Sequence, residues 1–81
     1  MGNLIAGTWN VKTEETEQTP YGQHKRVVTI TIKVWLQTYS DGRQQWRQTE
    51  LTHWNNVQVH DGTYPADTEY AKTRRDGVAP F

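Results

Sequence analysis

Between residues 27 and 51 the chain alternates apolar and polar side chains, pauses, and alternates again. Val28, Ile30, Ile32, Val34 and Leu36 fall on one side, while Thr29, Thr31, Lys33, Trp35 and Gln37 fall on the other. A period of two is the mark of a half-buried β-strand. The pause is Ser40-Asp41-Gly42-Arg43. Asp-Gly suits the two positive-φ positions of a type I′ hairpin turn, and a two-residue loop there sets residue i opposite residue 83 − i. Ile32 then faces Leu51, Thr31 faces Thr52, and Lys33 faces Glu50 as an opposite-charge pair. A slip by one residue would instead place Glu50 on the aliphatic side opposite Ile32, where an unpartnered carboxylate is costly.

A second turn is predicted at Thr19-Pro20-Tyr21-Gly22, because proline presets φ at the first central position. With Pro20-Tyr21 as the loop, Glu17 meets His24, Glu15 meets Arg26, Val11 meets Ile30, and Trp9 meets Ile32. Together the two hairpins make a three-stranded antiparallel meander over about residues 4–17, 24–39 and 43–59. Its core face is expected to hold Ile5, Trp9, Val11, Val28, Ile30, Ile32, Val34, Leu36, Leu51 and Val57, with His53 at the core edge beside Ile30. The opposite face then carries an aromatic group, Trp35, Tyr39, Trp46 and Trp54, with Trp46 facing Gln37 diagonal to Trp35.

Fifteen-residue strands at about 3.3 Å per residue reach about 50 Å, far beyond a compact domain of this size. The sheet must coil, break at a bulge, or project. Asn55-Asn56 is the predicted interruption, since Asn tolerates the left-handed region. Val57-Gln58-Val59 then forms a short strand closed by His60-Asp61-Gly62-Thr63. In the tail, residues 63–81, Asp67 is positioned to cap a short helix ending at Gly77, whereas Pro65 and Pro80 fit an extended arm. The expected fold is a single all-β domain over residues 1–81. It is either a highly twisted antiparallel meander or a small barrel, with a C-terminal helix or arm.

Composition narrows the function classes. Apolar residues make up 33% of the 81, but four are Trp and four are Tyr, so a few large groups do most of the burying. No cysteine is present to staple so small a core or to hold zinc by thiolates. Nine basic residues balance nine acidic ones, and a neutral chain makes no whole-protein case for nucleic acid or an anionic membrane. The start, MGNLIAGTWN, has neither a basic n-region nor an apolar h-region, and no run reaches the ~20 apolar residues of a membrane span. A cytoplasmic protein is expected, or an exported one after removal of a leader.

Enzyme signatures are absent: no G-x-S-x-G, phosphate loop or H-E-x-x-H occurs, and Glu14, Glu15 and Glu17 read as a solvated charge run. His53 and His60 are seven apart, which matches no metal-ligand spacing, so neither a metal nor a cofactor is expected. Three binding readings compete for the Trp-rich face. Exposed tryptophans would forgo several kcal/mol of burial, and Trp and Tyr dominate protein-binding hot spots. The leading expectation is therefore protein–protein association through Trp35, Tyr39, Trp46 and Trp54, oriented by Lys33 and Glu50. The partner would be a second copy of the chain or a protein it caps or inhibits. The first alternative is a carbohydrate or small ligand stacked on the same Trp residues, with Gln37, Gln44, Gln48, Glu50 and Asn56 as hydrogen-bonding groups. The second is single-stranded nucleic acid, with bases on Trp35, Trp46 and Trp54 and phosphates on Lys33 and Arg43.

Gly7-Thr8-Trp9, entering the first strand, resembles the G-x-W start of lipocalin-like, fatty-acid-binding and avidin-type barrels. The resemblance covers three residues. It implies a curled antiparallel sheet with Trp9 closing one end, and extends to no ligand site.

Overall fold

A computed structural model describes residues 4–78. Four antiparallel strands form one open sheet in sequence order: β1 (Gly7–Thr19), β2 (Gly22–Thr38), β3 (Gln44–Trp54) and β4 (Val57–Pro65). A seven-residue helix, α1 (Glu69–Arg75), follows. The sheet does not close on itself, since β1 and β4 stand at opposite edges. The barrel implied by the Gly7-Thr8-Trp9 resemblance is therefore not formed. Trp9 instead lies over Gly7, where an added Cβ would stand 2.9 Å from its indole ring, and packs against the core cluster.

The first hairpin has the expected register: Trp9 lies opposite Ile32, Val11 opposite Ile30, Glu15 opposite Arg26 and Glu17 opposite His24. The second is one residue out of the expected register. Ile32 lies opposite Glu50, Leu36 opposite Trp46 and Val28 opposite Trp54, which is residue i against 82 − i. The cause is the loop. Tyr39 N–H donates to the Arg43 carbonyl at 2.8 Å and Gly42 N–H donates to the Tyr39 carbonyl at 2.9 Å. Gly42 takes φ +89° while Asp41 keeps a negative φ. That is a three-residue loop, a type I turn followed by a left-handed glycine, in place of the two-residue type I′ turn. Asp41 supports it by accepting the Arg43 N–H at 3.0 Å.

One residue of slip exchanges the two faces of β3. Trp46, Gln48, Glu50, Thr52 and Trp54 now share the side of Val28, Ile30, Ile32 and Val34. Leu51 lies opposite Thr31 and His53 opposite Thr29, so neither belongs to the core face as expected. The pairs Lys33–Glu50 and Trp46–Gln37 do not form; Lys33 lies opposite Thr49 and Gln37 opposite Gln45. Of the expected core, Val28, Ile32 and Val34 are buried, while Ile5, Leu36 and Val57 are exposed.

Asn55-Asn56 is a turn rather than a bulge. Both residues are left-handed, at φ 50° and 69°, and they join β3 directly to β4. The bulge occurs between β3 and β4 at Thr52/His53. β4 runs on through His60-Asp61-Gly62-Thr63, which is strand and not the expected closing turn. In the tail the helix is the outcome, capped by Thr68 rather than Asp67: Thr68 Oγ1 accepts the Ala71 N–H at 3.1 Å. Pro80 lies outside the described residues.

Strand length is resolved by projection. β3 begins its pairing with β2 at Val28 opposite Trp54, so residues 14–27 of the first hairpin extend past it as a two-stranded ribbon. Asn55 finishes the junction: its side chain accepts the Val27 N–H at 2.9 Å and its N–H donates to the Val27 carbonyl at 2.8 Å. The result is elongated, 57 × 26 × 18 Å, with a radius of gyration of 15.7 Å. A compact chain of this length has about 12 Å.

Candidate interaction surfaces

The new register confronts the fold with a glutamate and a glutamine on its apolar face, and α1 resolves both. Glu50 and Gln48 have no solvent exposure. Arg74 Nε donates to Glu50 Oε2 at 2.6 Å, its Nη2 donates to Glu50 Oε1, and the Tyr64 hydroxyl donates to Oε2 at 3.3 Å. Gln48 donates to the Ala71 carbonyl at 3.0 Å and accepts from Arg75 at 3.0 Å, while Arg75 also donates to the Ala66 carbonyl at 2.7 Å. The bidentate arginine fork is the geometry that best satisfies a buried carboxylate. It holds the Glu50 carboxyl below the ordinary glutamate range, against the upward push of burial. Burial, aided by the nearby Glu50 charge, raises the Tyr64 hydroxyl. Tyr70 meets Tyr64 edge-on, with ring centroids 5.0 Å apart.

The aromatic group expected on one face is divided among three places. Trp35 stands on the face away from α1, opposite Arg47, with Lys33 Nζ 5.7 Å from its ring centroid and its indole N–H donated to Gln37 at 3.1 Å. Among the described residues no element covers that face. Tyr39 and Trp46 line a cleft of about 510 Å³ beside the β2–β3 turn, together with Arg43, Gln44, Gln45 and Asp67. Tyr39 donates its hydroxyl to Gln45 at 2.9 Å, and Trp46 packs half-buried against the core cluster. Trp54 stands at the far end of the α1-bearing face, where the Arg26 guanidinium stacks 4.0 Å above its ring. Arg26 simultaneously donates to Glu15 at 2.6 Å.

Of the expected site residues, Lys33, Trp35 and Gln37 are thus together, Tyr39 and Trp46 are together, and Gln48 and Glu50 lie under the helix. Arg74, Arg75 and Tyr64 are the residues that sequence reasoning missed. Their signal was the pair of polar positions, Gln48 and Glu50, between Trp46 and Trp54 at a period of two, which demands polar partners if the tryptophans face the core.

Among the described residues no group of three or more His, Cys, Asp or Glu is placed to hold a metal ion, and no helix is long and apolar enough to cross a membrane. No protein-family model, curated protein or solved structure matches the chain.

Proposed function

We propose that this is a non-enzymatic binding protein that acts by associating with another protein chain, a second copy of itself or a partner that it caps or blocks. The observation supporting this most strongly is the balance of burial. Among the described residues the buried apolar set is Val28, Ile32, Val34, Ala66 and Ala71, whereas Ile5, Leu36, Trp54, Val57, Val59 and Tyr70 are exposed. A sheet needs a second layer on its apolar side, and a seven-residue helix supplies only part of one. A protein layer laid on the sheet would recover about 1.5–3 kcal/mol for each large side chain it buries. Trp35, flanked by Lys33, Gln37 and Arg47, is the anchor on the bare face, and Trp54 beside Val57 is the anchor on the other. Light scattering after gel filtration, with iodide quenching in the same sample, tests the reading. It predicts a mass above one chain, or a stable complex with a defined protein, in which the tryptophans are protected and Trp35→Ala or Trp54→Ala weakens association. A single-chain mass with fully quenchable tryptophans, and no protein complex sensitive to either change, overturns it.

The Tyr39–Trp46 cleft favours a second reading, a carbohydrate or similar polar small ligand. Its volume lies in the range of small-molecule sites, and it combines two aromatic rings with two amides, a guanidinium and the Asp67 carboxylate. A saturable change in tryptophan emission on titration with monosaccharides, lost in Asp67→Ala and Gln45→Ala, would select this reading.

A further inference from the structure

The two edges of the sheet differ in how they are protected. β4 is nine residues long, is bulged against β3, contains Gly62 and ends at Pro65, all features that discourage strand addition. β1 is thirteen residues long, has no proline, and pairs with β2 without interruption from end to end. Among the described residues no strand lies beyond it. Its hydrogen-bonding pattern follows from the turn. Thr19 and Gly22 close a two-residue loop, so they must exchange both backbone hydrogen bonds. Alternation from there directs the backbone N–H and carbonyl groups of Thr8, Asn10, Lys12, Glu14, Thr16 and Gln18 outward, to the open edge.

We propose that β1 pairs antiparallel with β1 of a second copy of this chain, about a two-fold axis at Thr13, joining two four-stranded sheets into one of eight. This rests on the reading of the protein as one that associates through protein contacts, and it names the partner and the edge. Three independent features meet in this register. Gly7 falls opposite Thr19 of the partner subunit, so all thirteen residues overlap. Lys12 falls opposite Glu14 of the partner subunit, and by symmetry Glu14 opposite Lys12 of the partner subunit. A shift of the axis to Lys12 or to Glu14 sets like charges directly against each other. Finally, the ribbon of residues 14–27 is two-stranded in one chain, and an isolated two-stranded ribbon is marginal in water. In the dimer its β1 half gains the first half of the partner's β1 as a third strand. The two-fold axis is perpendicular to the sheet, so both α1 helices lie on one side and the bare Trp35 faces form a continuous surface on the other.

The chain's lack of cysteine makes the test direct. Across the proposed axis the odd residues are non-hydrogen-bonded pairs, with Cα atoms about 4.5–5.5 Å apart, within reach of a disulfide. Thr13→Cys is expected to form a disulfide dimer under mild oxidation, seen on a non-reducing gel, while Asn10→Cys is not. Lys12→Glu replaces two attractive pairs by two repulsive ones and is expected to weaken dimerisation at least about tenfold, close to 1.4 kcal/mol. Lys12→Glu combined with Glu14→Lys is expected to restore it. A wild-type mass of one chain at every concentration up to the millimolar range overturns the edge dimer, and leaves association with a foreign protein to the Trp35 and Trp54 variants. A dimer indifferent to Lys12→Glu and not cross-linked through Thr13→Cys also overturns it, while keeping the broader reading, because the contact then lies on a sheet face.

Discussion

The two ends of the sheet each hold a glutamate–arginine pair that links separate elements, and the pairs do different things. At the helix end, Glu50 is fully buried and Arg74 reaches it from α1 across the layer boundary. At the ribbon end, Glu15 and Arg26 face each other across β1 and β2, with Glu15 about half exposed and Arg26 leaning on Trp54. The chemistry is the same and the solvent is not. A buried carboxylate that loses its partner must bear its desolvation alone, whereas an exposed one is rescued by water. The helix end is therefore fastened by a polar contact that cannot be removed cheaply. The ribbon end is held by contacts that each contribute little.

The largest effect should come from Arg74→Ala, which leaves the Glu50 carboxylate buried with only the Tyr64 hydroxyl. A loss of about 3 kcal/mol is expected, read as a fall in melting temperature of more than about 10 °C. A wild-type melting temperature in this variant would mean that α1 is not fastened through Glu50. An intermediate effect concerns acid. Because Arg74 holds the Glu50 carboxyl below its ordinary value of about 4.3, the unfolded chain takes up a proton first as pH falls. The contribution of this group is complete above about pH 4.3 and is lost as pH drops through the lowered folded value. Urea titrations between pH 6 and pH 2.5 should show a steeper loss in the wild type than in Glu50→Gln; parallel curves would remove Glu50 from the acid response. The smallest effect belongs to the ribbon. Arg26→Ala removes one exposed ion pair and one stacking contact over Trp54, together worth about 0.5–1 kcal/mol, read as a small fall in melting temperature. A loss as large as that of Arg74→Ala would show that the two ends are coupled rather than independent.

Much of this architecture was legible in the chain. The first hairpin followed from Thr19-Pro20-Tyr21-Gly22 because a proline-set turn and the cross-strand charges, Glu15 with Arg26 and Glu17 with His24, agree on one register. The second is not fixed by Asp41-Gly42, a dipeptide that serves a two-residue and a three-residue loop equally well. The tie was broken by the cost of burying Glu50. That cost is real for strand β3 in isolation, but it is offset by Arg74, twenty-four residues away and on an element whose helical state was itself open. An arginine in a tail does not announce which carboxylate it will reach. The same slip took Trp46 and Trp54 to the face away from Trp35, since each face assignment in β3 depends on that one loop.

By itself, then, the sequence determined the first three strands, their antiparallel order, the Asn55-Asn56 break and the aliphatic face of β2, because these rest on local periodicity and turn chemistry. Tertiary structure decided which side of β3 faces inward, where the tryptophans stand and which edge is left open. Those choices depend on contacts between residues far apart in the chain, where a distant guanidinium changes the sign of a local cost.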